Sequence, residues 1–246
     1  MGMGMSLEAG SERDGLQAFA EVRRAIVVCA HADDLETMMG GTTWRLAQRG
    51  VEIVELICTM GDLGTEDEHH TRQTLARVRH EEARTGAALL GVREVVTLEH
   101  HDGELLPDLQ LRAQIASYYR KWQPDTLFTF DPSWLGQIHP DHRACGQAAI
   151  DAILPSRMRL YHPEQLAGAR VAHIRQAFLF SPANPSVSVD VTDVYDRKVQ
   201  AALAHKSQFP NGDRDLDWMR ALDSEAAKRA SLPGRYMEHF GVLRLW

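Results

Sequence analysis

Residues 25–42 read Ala-Ile-Val-Val-Cys-Ala-His31-Ala32-Asp33-Asp34-Leu35-Glu36-Thr-Met-Met-Gly40-Gly41-Thr42. A short, continuous apolar run of this kind is the pattern of a strand buried on both faces of a parallel sheet. The polar cluster then sits where the strand ends, and in open α/β sheets the carboxyl ends of strands are where ligands bind. Two adjacent aspartates at such a place repel each other and lose hydration. A divalent cation beside them removes that cost.

A second stretch repeats the arrangement: Phe128-Thr-Phe130-Asp131-Pro-Ser-Trp-Leu-Gly-Gln137-Ile-His139-Pro140-Asp141-His142. It too runs from an apolar strand through turn residues to histidines and an aspartate. His31, Asp34 and His142 together supply two imidazoles and a carboxylate, which suits one zinc ion per chain with a fourth position open to water. Adjacent aspartates cannot present the same face to one ion, so Asp33 is free to act as general base on the water that the ion activates. His139 shares a helical face with His142 if Pro140 opens a helix. It then faces the reacting carbonyl, as donor to an oxyanion or a leaving amine, with Asp141 holding its ring. The reaction class is metal-assisted hydrolysis of an amide or ester. Helix capping would account for the aspartates but not for three histidines at strand ends. Glu36 reads as a charge at a helix N-terminus, and the other nine histidines read as ordinary surface or core residues.

Outward from these stretches, strands are expected at 24–30, 51–59, 95–98, 125–130, 178–180 and 186–191. Helices are expected from Gly40 to Gln48 and over 71–90, 109–122, 143–154 and 194–205. Their alternation predicts an α/β fold, a three-layer sandwich with a mostly parallel sheet in a single domain over 23–246. Residues 1–22 read as a flexible leader with a short surface helix, 155–170 as a loop or lid, and 208–246 as turns mixed with helical pieces.

An apolar fraction of 44% in 246 residues is ample for a large core. A formal charge of −7 argues against nucleic acid or anionic lipid as a general partner. No apolar run approaches the roughly 20 residues of a membrane span, and no secretory signal is legible. Met1 to Ser6 matches a myristoylation pattern, but no polybasic segment supports it. Cys29, Cys58 and Cys145 read as reduced core thiols, so the cytoplasm is the expected location.

The string His31-Ala32-Asp33-Asp34-Leu35-Glu36, then Gly40-Gly41-Thr42, with His139-Pro140-Asp141-His142 downstream, resembles the PIG-L/LmbE-like zinc-dependent de-N-acetylase superfamily. Arg79-His80-Glu81-Glu82, His101-Asp102-Gly103 and His205-Lys206-Ser207-Gln208 extend the likeness over roughly residues 24 to 210. The resemblance implies a Rossmann-like fold and removal of an N-acetyl group from a small amino sugar, glycoside or related metabolite. It implies His31, Asp34 and His142 as zinc ligands, Asp33 as base, His139 with Asp141 at the oxyanion, and Arg79 and Asp102 as residues holding sugar hydroxyls. Ala32 stands where the family usually has proline, and Gln137 where some members have tyrosine. Rival readings are a metal-dependent hydrolase of another amide, an ester or a phosphoester, and a non-catalytic metal-containing binder. Homo-oligomerisation is left open.

Overall fold

The computed structural model describes residues 6–7, 13–229 and 236–245. Strands β1 (Ser6–Leu7) and β2 (Arg13–Asp14) are two residues each, and β3 (Arg24–Cys29) is the apolar run that precedes His31. There follow α1 (Asp34–Gln48), β4 (Glu52–Thr59), α2 (Arg72–Leu89), β5 (Glu94–His100), α3 (Leu109–Trp122), β6 (Thr126–Phe130), α4 (Pro140–Asp151) and α5 (Ile153–Arg157). The chain continues with β7 (Gln176–Phe180), β8 (Val187–Asp190), α6 (Tyr195–Ala202), α7 (Asp217–Arg229) and β9 (Met237–Arg244). Of the expected leader, residues 1–5 and 8–12 lie outside the described residues. The described remainder holds β1, β2 and a 3-10 turn at Gln17–Phe19.

The nine strands among the described residues join one sheet in the order β2-β8-β9-β7-β6-β3-β4-β5, with β1 beside β9. The run from β7 to β5 is parallel throughout, as expected for an α/β sandwich. After β3 the chain crosses to β4 on one side, and β6 later pairs with β3 on the other. The carboxyl ends of β3 and β6 therefore flank a topological switch point, which is where such sheets open a crevice. No helix among the described residues is long and apolar enough to cross a membrane.

Three features depart from the expectations, the first being that α1 starts at Asp34 and not at Gly40. Residues 237–244, read as part of a tail of turns and helical pieces, form β9, which enters antiparallel between β7 and β8. Glu238 obscures the pattern: it is a carboxylate inside an interior strand, fully buried because Lys198 Nζ lies 3.0 Å from it. The 155–170 segment is no lid. It wraps the buried Arg120 at the carboxyl end of α3, whose guanidinium donates to the carbonyls of Pro155, Ser156, Met158, Tyr161 and His162. α3 ends just before β6 begins, so this segment sits at the end of the sheet away from the crevice.

The Gly40-Gly41-Thr42 triplet has a specific physical job. α1 breaks at Met39 (φ −146°, ψ 23°), and the amides of Gly41 and Thr42, freed at the restart, donate to the Glu238 carboxylate at 2.9 and 2.7 Å. A Cβ on Gly41 would lie 2.6 Å from Val191, so only glycine lets the helix approach so closely. Phe19 and the mid-strand Phe128, Phe178 and Phe240 form one aromatic cluster with centroids 4.6 to 6.4 Å apart.

Candidate active site

β3 ends at Cys29, and the turn into α1 carries His31, Asp33 and Asp34 on consecutive bends. Asp34 is 4% exposed, yet its Oδ2 accepts from the amides of Ala30 and His31 at 2.9 and 2.8 Å, so its buried charge is held by backbone dipoles. On the neighbouring strand, β6 delivers the loop to α4, where Pro140 takes the first helical position and His139 the cap. His142 then stacks on Phe130 with ring centroids 4.0 Å apart.

The three groups expected to bind a metal converge. His31 Nδ1 lies 3.1 Å from His142 Nε2, His142 Nε2 lies 3.3 Å from Asp34 Oδ1, and His31 Nδ1 lies 3.8 Å from Asp34 Oδ2. His139 packs edge-on to His31 and stacks over His142. Two triplets, His31/His139/His142 and His31/Asp102/Asp141, place one ligand-type atom each within 4.8 Å of the others.

Electrostatics show what this cluster holds. Burial pushes the His31 imidazole down, but its hydrogen bonds to Asp102 and Asp141 outweigh that and raise it to about 10. Burial would raise Asp34, yet the attraction of His142 and His31 carries it well below the ordinary carboxylate range. Asp102 and Asp141 are also buried, and their contacts with His31 lower both. His139 is lowered by burial and by the two imidazoles beside it. The carboxylates thus favour a positive charge among them, which is what a cation site requires.

Asp33 caps α1 without a side-chain cap bond; its Oδ1 instead accepts from Arg79 Nη2 at 2.9 Å. Arg79 Nη1 lies 3.6 Å from Asp102 Oδ2, so both residues expected to hold sugar hydroxyls are within the cluster. Asp102 Oδ1 accepts from His31 Nε2 at 3.1 Å.

One expected contact is corrected. The Asp141 carboxylate does not hold the His139 ring: it accepts from the amides of Gly103 and Leu105 and lies 3.4 Å from His31 Nε2. It is the Asp141 amide that donates to His139 Nδ1, at 3.3 Å, because cap geometry turns the backbone toward the ring and the side chain inward.

Several contributors were not singled out from sequence. Asp62 Oδ1 accepts from the Asp102 amide and Oδ2 from His101, fixing the loop after β5. His205, read as ordinary, is fully buried 3.2 Å from Glu36 in the first turn of α1. Its neighbours Ser207 and Gln208 bond Glu82 and the Gly64 carbonyl. The His-Lys-Ser-Gln string carried that signal as a motif, without indicating its partners.

The sequence profile of the PIG-L family, described as GlcNAc-PI de-N-acetylase, matches residues 26–153, just over half of the chain. The diacetylchitobiose deacetylase of Thermococcus kodakarensis is 32% identical over 225 residues, covering 90% of this chain and 84% of that protein. A probable N-acetyl-α-D-glucosaminyl L-malate deacetylase 2 of Bacillus cereus is 29% identical over 76% of this chain and 84% of its own length. Among solved structures, N,N'-diacetylchitobiose deacetylase from Pyrococcus horikoshii superposes with a TM-score of 0.86 at 31% identity, covering 93% of this chain and 86% of that one. With its paired His/Asp motifs brought to one crevice and relatives of this kind along nearly its whole length, the chain belongs to the PIG-L family of de-N-acetylases.

Proposed function

We propose that this protein is a zinc-dependent hydrolase that removes an N-acetyl group from a small amino sugar or glycoside in the cytoplasm, with Asp33 as general base. The observation that carries the reading is the meeting of His31 Nδ1, His142 Nε2 and Asp34, donors from two separate strand ends, within 3.1 to 3.8 Å.

Of the clusters that could take a cation, the His31/Asp34/His142 side fits best. A ligating histidine commonly gives its second ring N–H to a carboxylate. His31 does so here, Nε2 facing Asp102 and Asp141 while Nδ1 faces His142 and Asp34. Asp102 and Asp141 therefore orient the ligand. Two imidazoles and one carboxylate match the donor preference of zinc, which when bound polarises an amide carbonyl and acidifies water.

The chain's own residues supply the remaining steps. Asp33, one position before Asp34 and less buried, takes a proton from the attacking water. His139, stacked over His142, donates toward the carbonyl oxygen or the departing amine. The family likeness and the deacetylase names of the relatives support an acetamido sugar as substrate.

Acetate release from N,N'-diacetylchitobiose and N-acetylglucosamine, measured before and after chelation and zinc return, tests the reading. Asp33→Asn is expected to retain zinc while losing about 100-fold or more in kcat, the usual scale for a positioned base. Near-full activity in that variant would remove Asp33 from the role. Phosphate release from p-nitrophenyl phosphate, with no acetate from either sugar, would favour a phosphoester hydrolase.

A further inference from the structure

The loop that carries the chain from β6 to His139 also carries Trp134, an indole left 37% exposed at the carboxyl end of the sheet. The loop is pinned. Asp131 Oδ1 accepts from the amide and hydroxyl of Ser133 at 2.8 and 2.6 Å, and Oδ2 accepts from the Ala183 amide at 3.0 Å, which ties the loop to the turn after β7. The indole lies against the bare backbone of Gly136, where a Cβ would come within 2.5 Å of the ring. With Pro182 from the turn after β7, Met38 of α1 and Leu222 of α7, it walls a recess of about 650 Å3 counted with its open mouth. The floor is charged: Asp223 and Glu238 line it, although they are only 4% and 1% exposed. Glu238 is engaged by Lys198 and by the Gly41 and Thr42 amides. Asp223 gives only Oδ2, to Lys198 at 2.7 Å and to the Tyr195 hydroxyl at 2.9 Å, and its Oδ1 accepts from no group among the described residues.

We propose that this recess is a sugar subsite, taking the pyranose ring attached to the acetamido sugar that is deacetylated, with one ring face on Trp134 and a hydroxyl or amino group donating to Asp223 Oδ1. The inference rests on the reading of the crevice as a deacetylase site, and it makes a disaccharide the substrate class. A pyranose presents C–H groups on its faces and hydrogen-bond donors at its rim. The negative face of an indole attracts the first, and an unfilled carboxylate oxygen the second. A wholly apolar group fits the walls but not the floor, because seating it would cut Asp223 Oδ1 off from water with no donor in exchange. The volume lies in the range of small-molecule sites, apolar walls with a few placed polar groups being their usual make-up. Both sides of the recess lead back to the candidate metal site: Met38 follows Asp34 by one helical turn, and Trp134 stands on the loop that ends at His139.

The test is Trp134→Ala, assayed for acetate release from N,N'-diacetylchitobiose and from N-acetylglucosamine, with the ratio of the two kcat/KM values as the readout. Loss of the indole is expected to lower that ratio about tenfold, chiefly through KM for the disaccharide. Trp134→Phe, which keeps an aromatic face, is expected to recover most of it. Leu222→Arg, a substitution at a half-exposed position that fills the recess with a guanidinium competing for Asp223, is expected to lower the ratio as Trp134→Ala does. A ratio within about twofold of the wild type in both Trp134→Ala and Leu222→Arg overturns the proposal, and so does an equal fall on both sugars, which marks a disturbed His139 loop instead. Should Trp134→Ala not fold, Leu222→Arg carries the same measurement. If the wild type releases acetate from neither sugar, it is the deacetylase reading that fails. The recess is then tested by calorimetric titration with N,N'-diacetylchitobiose, where Leu222→Arg binding as tightly as the wild type, or no binding by either, overturns the proposal.

Discussion

His31 shows most plainly how one residue is made useful by its surroundings. Its two ring nitrogens face different chemistry, with Asp102 and Asp141 on one side and His142 and Asp34 on the other. With a cation bound, the carboxylate side would keep the remaining proton on Nε2 and leave Nδ1 to the metal. Asp102→Asn is therefore expected to weaken zinc binding by about 10- to 100-fold, the range for lost carboxylate partners of ligating histidines. Competition against a chromogenic chelator measures it, and unchanged affinity would make Asp102 irrelevant to the ligand. His31, Asp33 and Asp34 stand out in the sequence because an apolar run ends just before them, and His139 and His142 because they flank a proline that opens a helix. The partner of His139 does not, since nothing in His-Pro-Asp-His says whether the Asp141 backbone or its side chain meets the ring.

At the scale of elements, α1 is the informative case. It starts at the candidate metal site, breaks at Met39, and restarts on the carboxylate of Glu238 from the last strand of the sheet. Glu238 is balanced by Lys198, which also donates to Asp223 at 2.7 Å. Removing Glu238 would leave Lys198 with Asp223 alone and would leave the Gly41 and Thr42 amides buried without their acceptor. Glu238→Ala is accordingly expected to destabilise the fold by about 3 to 5 kcal/mol, read from denaturant unfolding. A loss below about 1 kcal/mol, the level of an exposed pair, would show that the helix restart needs no such clamp. The sequence places a helix start at Gly40 but does not say what the Gly-Gly-Thr triplet packs against, because Glu238 lies 196 positions from Thr42.

For the molecule as a whole, the same buried set makes stability depend on pH. Burial, only partly offset by Lys198, raises Asp223 from 3.8 to about 6. The unfolded chain then loses this proton at lower pH than the folded one, so between pH 3.8 and about 6 the native state binds more protons. The contribution of this group to stability accordingly falls as pH rises through that window. Wild type measured against Asp223→Asn by chemical denaturation is expected to lose ground from pH 4 to pH 6, and parallel curves would refute it.

Much of this architecture was dictated locally. Continuous apolar runs closed by glycine or by polar clusters specify β3, β4 and β6, and helices between them specify a parallel sheet, because a parallel pair needs a long crossover. The two His/Asp stretches follow from where those runs stop. What sequence alone could not decide were the long-range pairings: β9 slotting between β7 and β8, Glu238 under α1, Arg79 drawn onto Asp33, and Arg120 gathering the 155–170 segment away from the crevice. Glu238, which masks β9 as a strand, and Arg79 and Arg120 are charged side chains whose burial is favourable only once a partner from a distant element has arrived. A one-dimensional pattern of hydrophobicity records the charge as a reason for exposure, and only the assembled structure supplies the partner that reverses it.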